Sequence, residues 1–482
     1  MSKAPRTAIT PTREQDFPEW YQQVIKAADF AENAPVRGCM TIKPYGYAVW
    51  ENMQQIFDQW LKDYGVQNAS FPLLIPLSFL EKEAEHIDGF AKECAVVTHH
   101  RLEASENGLE PAGKLEEPYV VRPTSETIIG DAMARWIQSY RDLPMKLNQW
   151  GNVMRWEMRT RMFLRTSEFF WHEGHNAFET PEEAKQDCLT ILDMYHKFFE
   201  EYLAFTGHKG IKTPDERFPG AIETYAFESI MQDGKALQAA TSHDLGQTFS
   251  KSCGIKFQSR EGADQYAHTT SWAFSTRAIG GMIMIHGDDD GMQMPPRIAP
   301  QQVIILPISK NIEEDSSLLE YTQKIENELK ASGIRVHTDK RDMRNGDKMW
   351  DSIKKGVPLR VEAGGREKDN NQVTVTCRDL GKESKETLSV DAFLKKVPEL
   401  LDGVHDRMLE RSRQFTKDHT VEGNSLDDVQ DFFKADKIGL VRVPVSVLED
   451  SNLETAMKEY SLSTRCMPFE DEGQKVLIGK AY

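Results

Sequence analysis

The sequence predicts an α+β catalytic domain with an antiparallel sheet flanked by helices, followed by an α/β domain and a small α+β C-terminal domain. Three observations support this. Strand-like segments within residues 225–288 lack regularly spaced helices between them, which favours antiparallel pairing. The segment MPPRIAP, residues 294–300, is typical of a domain join. Beyond it, strands and helices alternate. The predicted domains are residues 1–298, 299–402 and 403–482.

Within the first domain, hydrophobic periodicity predicts the long elements. Apolar residues recur with the helical period over residues 47–64, and Gly65 ends that pattern. A buried strand interrupted by Pro72 and Pro76 follows over residues 69–77. The other predicted helices of this domain cover residues 17–31, 125–140, 181–206 and 276–286.

The later domains are predicted from the same patterns. The α/β domain has predicted strands over residues 303–307, 334–338, 359–363 and 372–377, and predicted helices over 315–332, 349–356 and 389–401. In the last domain we expect a helix through Arg411, a second helix over residues 425–435 and a strand over 438–444.

Composition restricts the class of protein. The chain has 482 residues with a net charge of −17, and no apolar run approaches the length of a membrane span. The polar N-terminus lacks an apolar signal region, and none of the six cysteines forms a CxxC pair. We therefore expect a cytoplasmic protein with reduced thiols that binds neither membrane nor DNA. The acidic balance still allows RNA contact through local basic patches.

Two local basic patches could contact RNA or other phosphates. Arg155, Arg159, Arg161 and Arg165 fall within eleven residues, and residues 335–360 hold eight Lys or Arg against four Asp. A guanidinium binds phosphate oxygens bidentately and stays charged at any working pH. A surface hairpin with internal ion pairs is an equally simple interpretation of the first patch, and the residues alone leave both open.

Three segments together resemble the motifs of class II aminoacyl-tRNA synthetases. The helix over residues 47–64 and the strand with Pro72 resemble motif 1. The segment RWEMRTRMFLRTSEF, residues 155–169, resembles motif 2 and reads as a strand, a basic loop and a returning strand. A strand over residues 269–276, then Arg277 and the helical run AIGGMIMI, resembles motif 3. The resemblance implies the class II fold for the first domain.

Further segments resemble the prolyl-tRNA synthetases of the archaeal and eukaryotic type. They are RPTSE (122–126), FLRTSEFFWHEGH (163–175), TSHDLGQ (241–247), HGDDDG (286–291) and GVPLRVEAGGRE (356–367). The resemblance implies an enzyme that activates L-proline with ATP and Mg²⁺ and charges tRNA(Pro), as a homodimer. It also implies that residues 299–402 bind the anticodon.

The resemblance also assigns roles to single residues. The catalytic pair is Arg155 and Arg277. The proline site comprises Thr124, Glu126, Arg155, Trp171, Glu173, Phe218, His243 and Ser275. The ATP site comprises Arg155, Glu157, Arg165, Thr166, Phe169, Gln238, Thr241 and Arg277. The anticodon contacts are Lys354, Lys355 and Arg360.

The chain departs from the family pattern at three places. Only about a hundred residues separate Phe169 from Ser271, so the editing insertion of the bacterial type is absent. The C-terminal domain holds one cysteine, Cys466, where relatives often hold four, so we expect no structural zinc and no other metal site. His172 replaces a usual Gln and creates HEGH, one residue short of a zinc-protease motif.

Two other functions remain open from the sequence. One is a class II synthetase for a different amino acid, such as threonine or glycine, against which RPTSE and TSHDLG argue. The other is a tRNA-binding paralogue without charging activity, against which the intact Arg155, Glu157 and Arg277 argue.

Overall fold

A computed structural model describes residues 7–84, 93–312 and 314–482. The helices of the first domain are α1 (Phe17–Ala27), α2 (Pro44–Asp63), α3 (Leu77–Ala84), α4 (Glu126–Trp136), α5 (Pro181–Leu203), α6 (Thr248–Cys253) and α7 (Arg277–His286). Its strands are β1 (Ala31–Asn33), β2 (Met40–Ile42), β3 (Gln67–Asn68), β4 (Leu74–Pro76), β5 (Val96–Ser105), β6 (Gly108–Val121), β7 (Met145–Met154), β8 (Glu168–Phe178), β9 (His208–Ile211), β10 (Glu223–Ile230), β11 (Ala236–Gly246), β12 (Lys256–Gln258), β13 (Asp264–Tyr266) and β14 (His268–Ser275).

The two later domains follow in order along the chain. The α/β domain consists of β15 (Val303–Ile308), α8 (Ser316–Ala331), β16 (Val336–Thr338), α9 (Asn345–Lys354), β17 (Leu359–Gly364), α10 (Gly365–Asp369), β18 (Gln372–Cys377), β19 (Glu386–Ser389) and α11 (Val390–Asp418). The C-terminal module consists of β20 (Thr420–Glu422), α12 (Leu426–Lys434), β21 (Leu440–Pro444), α13 (Leu453–Tyr460), β22 (Ser463–Thr464), β23 (Met467–Pro468) and β24 (Lys475–Gly479).

Local sequence signals set the ends of the helices that support the sheet. In α5, Thr180 and Glu183 form a capping box and Pro181 occupies the first turn, where its missing N–H costs nothing. The α2 helix also begins with a proline, Pro44, and it ends before Gly65, whose φ is +87°. The sequence predictions for these two helices are therefore confirmed to within a few residues.

An eight-stranded sheet organises the described part of the first domain. Its strand order is β23-β9-β10-β11-β14-β8-β7-β3. All neighbours pair antiparallel except β3 with β7, so the predicted antiparallel fold is confirmed. One edge strand, β23, comes from the C-terminal module, which therefore extends the catalytic sheet directly.

The rear face of this sheet packs against α2 and α5. Phe57 from α2 and Phe198 from α5 are fully buried against Phe274 of β14, with ring centroids 5.1–5.6 Å apart. Burial of such aromatic side chains supplies most of the apolar stabilisation of a core. The rear face of the sheet is thus covered by helices, and the opposite face is available for a ligand-binding site.

The second domain has a mixed five-stranded sheet in the order β16-β15-β17-β18-β19. The first three strands pair in parallel, as the β-α-β alternation predicts. The prediction of two helices on either side of residue 402 is wrong, because α11 continues over 29 residues. Its buried apolar side outweighs the one backbone hydrogen bond that Pro398 removes. A continuous helix therefore connects the second domain to the C-terminal module.

No helix in the described ranges is long and apolar enough to cross a membrane.

The contact between Gly174 of β8 and Trp272 of β14 tests the packing of the sheet. A Cβ atom on Gly174 would lie 2.0 Å from the Trp272 ring, which is buried and cannot move away. We expect Gly174→Ala to lower the free energy of unfolding by about 1–3 kcal/mol, measured by denaturation. Gly346→Ala is the control, because nothing lies within 4 Å of its added Cβ. Equal stability of the two variants would contradict the packing.

Candidate active site

Strand alternation builds the walls of a cavity of about 350 Å³ on the front face of the sheet. Trp171, Glu173 and His175 alternate along β8 and stand opposite Ser275, Ala273 and Ser271 of β14. On β11, Thr241 stands opposite Ala273 and His243 stands opposite Ser271, so both side chains lie on the same face of the sheet. All seven of these polar or aromatic side chains line the cavity, together with Ala273.

Two guanidinium groups converge on one end of the cavity. Arg155 Nε donates to Pro123 O at 2.8 Å, and Arg277 Nε donates to Leu164 O at 3.1 Å. Burial, followed by the positive charges of Arg165 and Arg155, lowers the pKa of Arg277 to about 10. Among the residues that the structure describes, neither Arg155 nor Arg277 forms an ion pair. This end of the cavity is therefore prepared to receive an anion.

The loop between β7 and β8 corrects one sequence prediction. β7 ends at Met154, so Arg155 and Glu157 lie in the loop and not in the strand that was predicted at the start of residues 155–169. A tight turn, in which Arg161 N donates to Arg165 O at 2.6 Å, returns the chain, with Phe163 at a φ of +61°. The turn brings Arg165 within 3.8 Å of Glu157, measured between NH1 and Oε1.

Two aromatic rings flank Arg155 at the start of β8. The rings of Phe169 and Trp171 are perpendicular, with centroids 5.8 Å apart, and each centroid lies 5.6 Å from Arg155 Cζ. Thr166 Oγ1 donates to Glu168 O at 2.6 Å, which fixes the loop before these rings. A flat ring system and a guanidinium placed side by side suit a nucleotide base and its phosphates.

The other end of the cavity is acidic. Ser125 Oγ and Gln149 Nε2 donate to Glu173 Oε1 at 2.5 and 3.1 Å, and His175 Nε2 lies 3.0 Å from Oε2. Burial would raise the pKa of Glu173, but these hydrogen bonds and the His175 charge lower it below its ordinary value. Nearby, the Thr124 hydroxyl donates to Glu126. Two carboxylates in so enclosed a space favour a cationic ligand group.

The pKa of His175 shifts in the opposite direction. Burial alone would lower it, yet the hydrogen bond to Glu173 and the negative charges of Glu126 and Glu173 raise it above its ordinary value. His243 is different, because burial and the positive charge of His175 lower its pKa to about 3. Neutral His243 lies against Phe218, with ring centroids 4.7 Å apart, and its Nδ1 is 3.0 Å from Thr224 Oγ1.

Three polar side-chain atoms of the cavity lining lack a hydrogen-bond partner among the described residues. They are Trp171 Nε1, Arg217 Nε and Ser271 Oγ, and all three are shielded from solvent. A buried donor without a partner is costly, so each is a candidate to bind a ligand.

The structure brings the predicted catalytic, proline-site and ATP-site residues into this single cavity. They are Thr124, Glu126, Arg155, Glu157, Arg165, Thr166, Phe169, Trp171, Glu173, Phe218, Gln238, Thr241, His243, Ser275 and Arg277. The predicted anticodon residues lie elsewhere. The ammonium group of Lys355 lies 5.6 Å from the centre of the Tyr45 ring and 3.5 Å from Asp351, Arg360 pairs with Glu362, and Lys354 is half-buried at the end of α9.

The sequence interpretation missed several cavity residues, chiefly His175, Ser271, Thr224 and Arg217. The first two could have been found, because strand alternation from Glu173 and Ser275 places them in the same rows. Arg217 lies in an irregular segment between β9 and β10, where no periodic pattern predicts the direction of a side chain.

His172 lies on the rear face, separated from His175 by the sheet. It is fully buried, its Nε2 is 3.0 Å from the Tyr195 hydroxyl, and its ring centroid is 4.6 Å from that of Phe274. The two histidines of HEGH therefore cannot bind one metal ion. In the described ranges, no cluster of three His, Cys, Asp or Glu side chains could hold a metal.

Two family models match the chain in the order of the domains described above. The "tRNA synthetase class II core domain (G, H, P, S and T)" matches residues 110–286, and the "Anticodon binding domain" matches residues 302–400. The first description covers synthetases for five amino acids, so it gives the class and leaves the amino acid open.

Full-length relatives give the family. A proline–tRNA ligase of Bdellovibrio bacteriovorus is 53% identical over 486 residues, which cover 98% of this chain and 97% of the relative. This chain belongs to the prolyl-tRNA synthetases. A proline–tRNA ligase of Rhodopirellula baltica is 51% identical over 494 residues, covering 100% of this chain and 97% of the relative.

Solved prolyl-tRNA synthetases share the fold over nearly the whole chain. The Cryptosporidium parvum enzyme with halofuginone and AMPPNP has a TM-score of 0.89 and 36% identity, covering 98% of this chain and 99% of that one. The same enzyme with L-proline and AMP has a TM-score of 0.88 and 36% identity, covering 98% and 97%. The class II fold with an anticodon-binding domain is thereby confirmed.

The buried position of His172 predicts a pH dependence of stability. Burial lowers its pKa to about 3, so below pH 6.5 the unfolded chain binds a proton that the folded chain excludes. This part of the stability is complete above pH 6.5 and is lost as the pH falls towards 3. We expect His172→Gln to lose less than the wild type, by about 1.4 kcal/mol for each pH unit below 6.5.

Denaturant unfolding of the wild type and of His172→Gln at pH 7.5, 6.0 and 5.0 measures this difference. His100→Gln is the control, because His100 is exposed on β5. Parallel pH profiles for the wild type and His172→Gln would contradict the assigned burial.

Proposed function

We propose that the chain joins L-proline to tRNA(Pro) in two steps, with Arg155 and Arg277 as its catalytic residues. The observation that carries the proposal is the convergence of two unpaired guanidinium groups on a cavity whose opposite end holds Glu126 and Glu173. One end suits a polyphosphate and the other suits an ammonium group. An amino acid and ATP bound side by side satisfy both.

Proline is proposed to occupy the acidic end. Its secondary ammonium has two N–H donors, and the oxygens of Thr124 and Glu126 can accept them. Trp171, Glu173 and Phe218 would enclose the pyrrolidine ring, and His243 and Ser275 complete the site. The neutral state of His243 is compatible with this role, because a second cation there would repel the substrate ammonium.

ATP is proposed to occupy the basic end. Phe169 would stack on adenine, and Glu157 would accept a hydrogen bond from the exocyclic amine or orient Arg165. Thr166, Gln238 and Thr241 would provide the remaining polar contacts. Arg155 belongs to the basic end but is close enough to Glu126 and Glu173 for their charges to act on it, so it would bind both the α-phosphate and the proline carboxylate.

The chemistry then needs no nucleophilic side chain. The proline carboxylate attacks the α-phosphorus in line, the bond to the β-phosphate oxygen breaks, and pyrophosphate leaves. Arg155 and Arg277 align the substrates and stabilise the negative charge of the transition state. The ribose hydroxyl of the terminal adenosine of the tRNA next attacks the acyl carbon, and AMP leaves.

Mg²⁺ is proposed to enter with ATP. This ion usually binds one or two carboxylates together with substrate phosphates. The described residues hold no cluster of three acidic, His or Cys side chains, so the phosphates of ATP would supply most of the ligands of the ion. Mg²⁺ would neutralise phosphate charge beside the two arginines. We propose no structural zinc, because the C-terminal module has only Cys466, a buried thiol.

Recognition of tRNA is assigned to the second of three proposed domains, residues 1–298, 299–402 and 403–482. Single-stranded loop bases are bound by stacking and edge hydrogen bonds, with Lys and Arg on the phosphates. The contacts of Lys354, Lys355 and Arg360 with the anticodon stay a prediction, since two of these side chains also contact other parts of the protein.

We further propose a cytoplasmic homodimer of the form without an editing insertion. The bacterial relatives support this form, because they align over 97% of their own length without leaving room for an added domain. The bacterial source of both relatives supports a form that is not restricted to archaea and eukaryotes. The segment resembling motif 1, which contains the exposed Leu73 and Leu74, is the proposed dimer contact.

The catalytic role of Arg155 is tested by pyrophosphate exchange. We expect Arg155→Ala to reduce proline-dependent exchange at least about a hundredfold, because the transition state loses a preorganised cation. Arg159→Ala is the matched control, since Arg159 lies exposed in the same loop and its side chain does not line the cavity. Near-normal exchange by a folded Arg155→Ala enzyme would refute the role.

The absence of an editing insertion leads us to expect that the enzyme also activates some amino acids other than proline. A pocket built for proline discriminates poorly against smaller amino acids, because a missing methylene costs only about 1–3 kcal/mol. We expect measurable exchange with alanine and cysteine, at lower kcat/KM than with proline. Threonine and glycine belong in the same screen, since preference for either would indicate a different class II synthetase. Undetectable exchange with alanine and cysteine would contradict the prediction.

A further inference from the structure

A buried carboxylate joins the C-terminal module to the catalytic sheet. Glu228 of β10 has no exposed surface and pairs with Lys212 and Arg465, whose side chains are 2% and 8% exposed. Lys212 Nζ lies 2.9 Å from Oε1. Arg465 donates to both carboxylate oxygens. Its Nη2 lies 3.0 Å from Oε1 and 2.9 Å from Oε2, and its Nε lies 3.2 Å from Oε2.

The C-terminal backbone holds Arg465 in place for this contact. Strand β23, two residues further on, pairs with β9 and begins at Met467, opposite Ile211. Arg465 N donates to Leu477 O at 2.7 Å, and NH1 donates to Ser463 Oγ at 2.8 Å. The C-terminal module is thus folded around this arginine and directs it across β9 towards β10.

Glu228 lies on the same face of the sheet as the cavity. Thr224, which lines the cavity, stands two positions before Ala226 and four before Glu228 on an uninterrupted strand, so all three share one face. The irregularity in this pairing leaves Gln238 opposite Glu228. Gln238 is a proposed ATP ligand, so the carboxylate stands beside the ATP end of the cavity.

The charges of Glu228 and Arg465 both reach Arg277. Burial and the charges of Arg165 and Arg155 lower the pKa of Arg277, Glu228 acts to raise it, and Arg465 acts to lower it. Within the described chain, Arg277 forms no ion pair of its own. A change in the pairing of Glu228 therefore changes the electrostatic environment of Arg277, the cation proposed to bind the triphosphate.

This arrangement creates a competition for Arg277. A buried carboxylate that loses its donors seeks another cation, because an unpaired charge in a low dielectric is strongly disfavoured. Without Arg465, Glu228 would retain Lys212 at one oxygen and lack donors at the other. Arg277 is near enough to Glu228 for their charges to interact, and its terminal nitrogens form no hydrogen bond among the described residues. Binding to Glu228 would take Arg277 from ATP.

We propose that Arg465 of the C-terminal module is a positioning residue for ATP, holding Glu228 paired so that Arg277 stays free for the triphosphate. The inference rests on the ATP-binding roles proposed above. It gives the C-terminal module a part in amino-acid activation that does not involve tRNA contact.

Steady-state pyrophosphate exchange, with ATP and proline varied separately, tests the proposal. We expect Arg465→Met to raise the KM for ATP about tenfold, within the usual range of coupling between sites, and to change the KM for proline less than about twofold. Lys212→Met should change the KM for ATP in the same direction and by less, because Arg465 still contacts both oxygens.

A double variant separates positioning from folding. Arg465→Met with Glu228→Gln removes the competing charge, and we expect it to restore the KM for ATP. The control is Arg442→Met, in the same module, whose ion pairs are with Glu422, Glu470 and Asp471. It should leave both KM values unchanged.

Each outcome of these measurements either supports or overturns the positioning role of Arg465. A merely structural Arg465 would lower the active fraction, and hence kcat, while both KM values stayed at the wild-type level, and that result would overturn the proposal. Failure of the double variant to recover would overturn it too. Should Arg465→Met not fold, Lys212→Met and its double variant with Glu228→Gln carry the same comparison. Absence of proline-dependent exchange in the wild type would instead refute the proposed function. Failure of the proposed function and failure of the role of Arg465 are therefore distinguishable.

Discussion

The guanidinium groups of Arg155 and Arg277 approach one another inside a cavity, and the described part of the chain offers neither an ion pair. Each is oriented by a hydrogen bond from Nε to a main-chain carbonyl. Such bonds fix direction without neutralising charge, so an anion that binds between the two cations relieves their repulsion. Substrate binding and the alignment needed for phosphoryl chemistry thereby use the same groups.

Other features of the fold support this constraint. The sheet sorts its side chains by alternation, so that His175 contributes to the cavity while His172, three residues earlier, is buried neutral among rear-face aromatic rings. The same alternation places Glu173 in the cavity, where its charge and that of Glu126 act on Arg155. Glu228, a further carboxylate on this face of the sheet, is paired with Arg465 and Lys212.

Periodic patterns predicted most of the fold, because local sequence determines them. The capped helix α5 and the parallel strands β15 and β17 follow directly from spacing and helix signals. Long-range pairing did not follow, since no local signal indicates that β23 would join the catalytic sheet. The continuity of α11 past residue 402 was missed for a related reason, because the buried residues that continue the helix, such as Val404 and Met408, pack against elements that are distant in sequence.

The cavity residues were predictable mainly through the family motifs, whose order along the chain is more specific than any one of them. Of the cavity residues missed, His175 and Ser271 follow from strand alternation, whereas the placement of Arg217 depends on tertiary structure. The Glu228–Arg465 pair joins positions 237 residues apart, and neither sequence context suggests a partner. Buried ion pairs of this kind require the fold before they can be recognised, whereas strand neighbours such as His175 and Glu173 do not.

Charging of tRNA tests the central claim most directly. The purified full-length enzyme, ATP, Mg²⁺ and a tRNA(Pro) transcript are incubated with labelled proline, and the label esterified to the terminal adenosine is measured. We expect ATP-dependent transfer of proline to tRNA(Pro) and none to a threonine-specific tRNA. Absence of charging by a folded enzyme, or a preference for a different amino acid, would contradict the account.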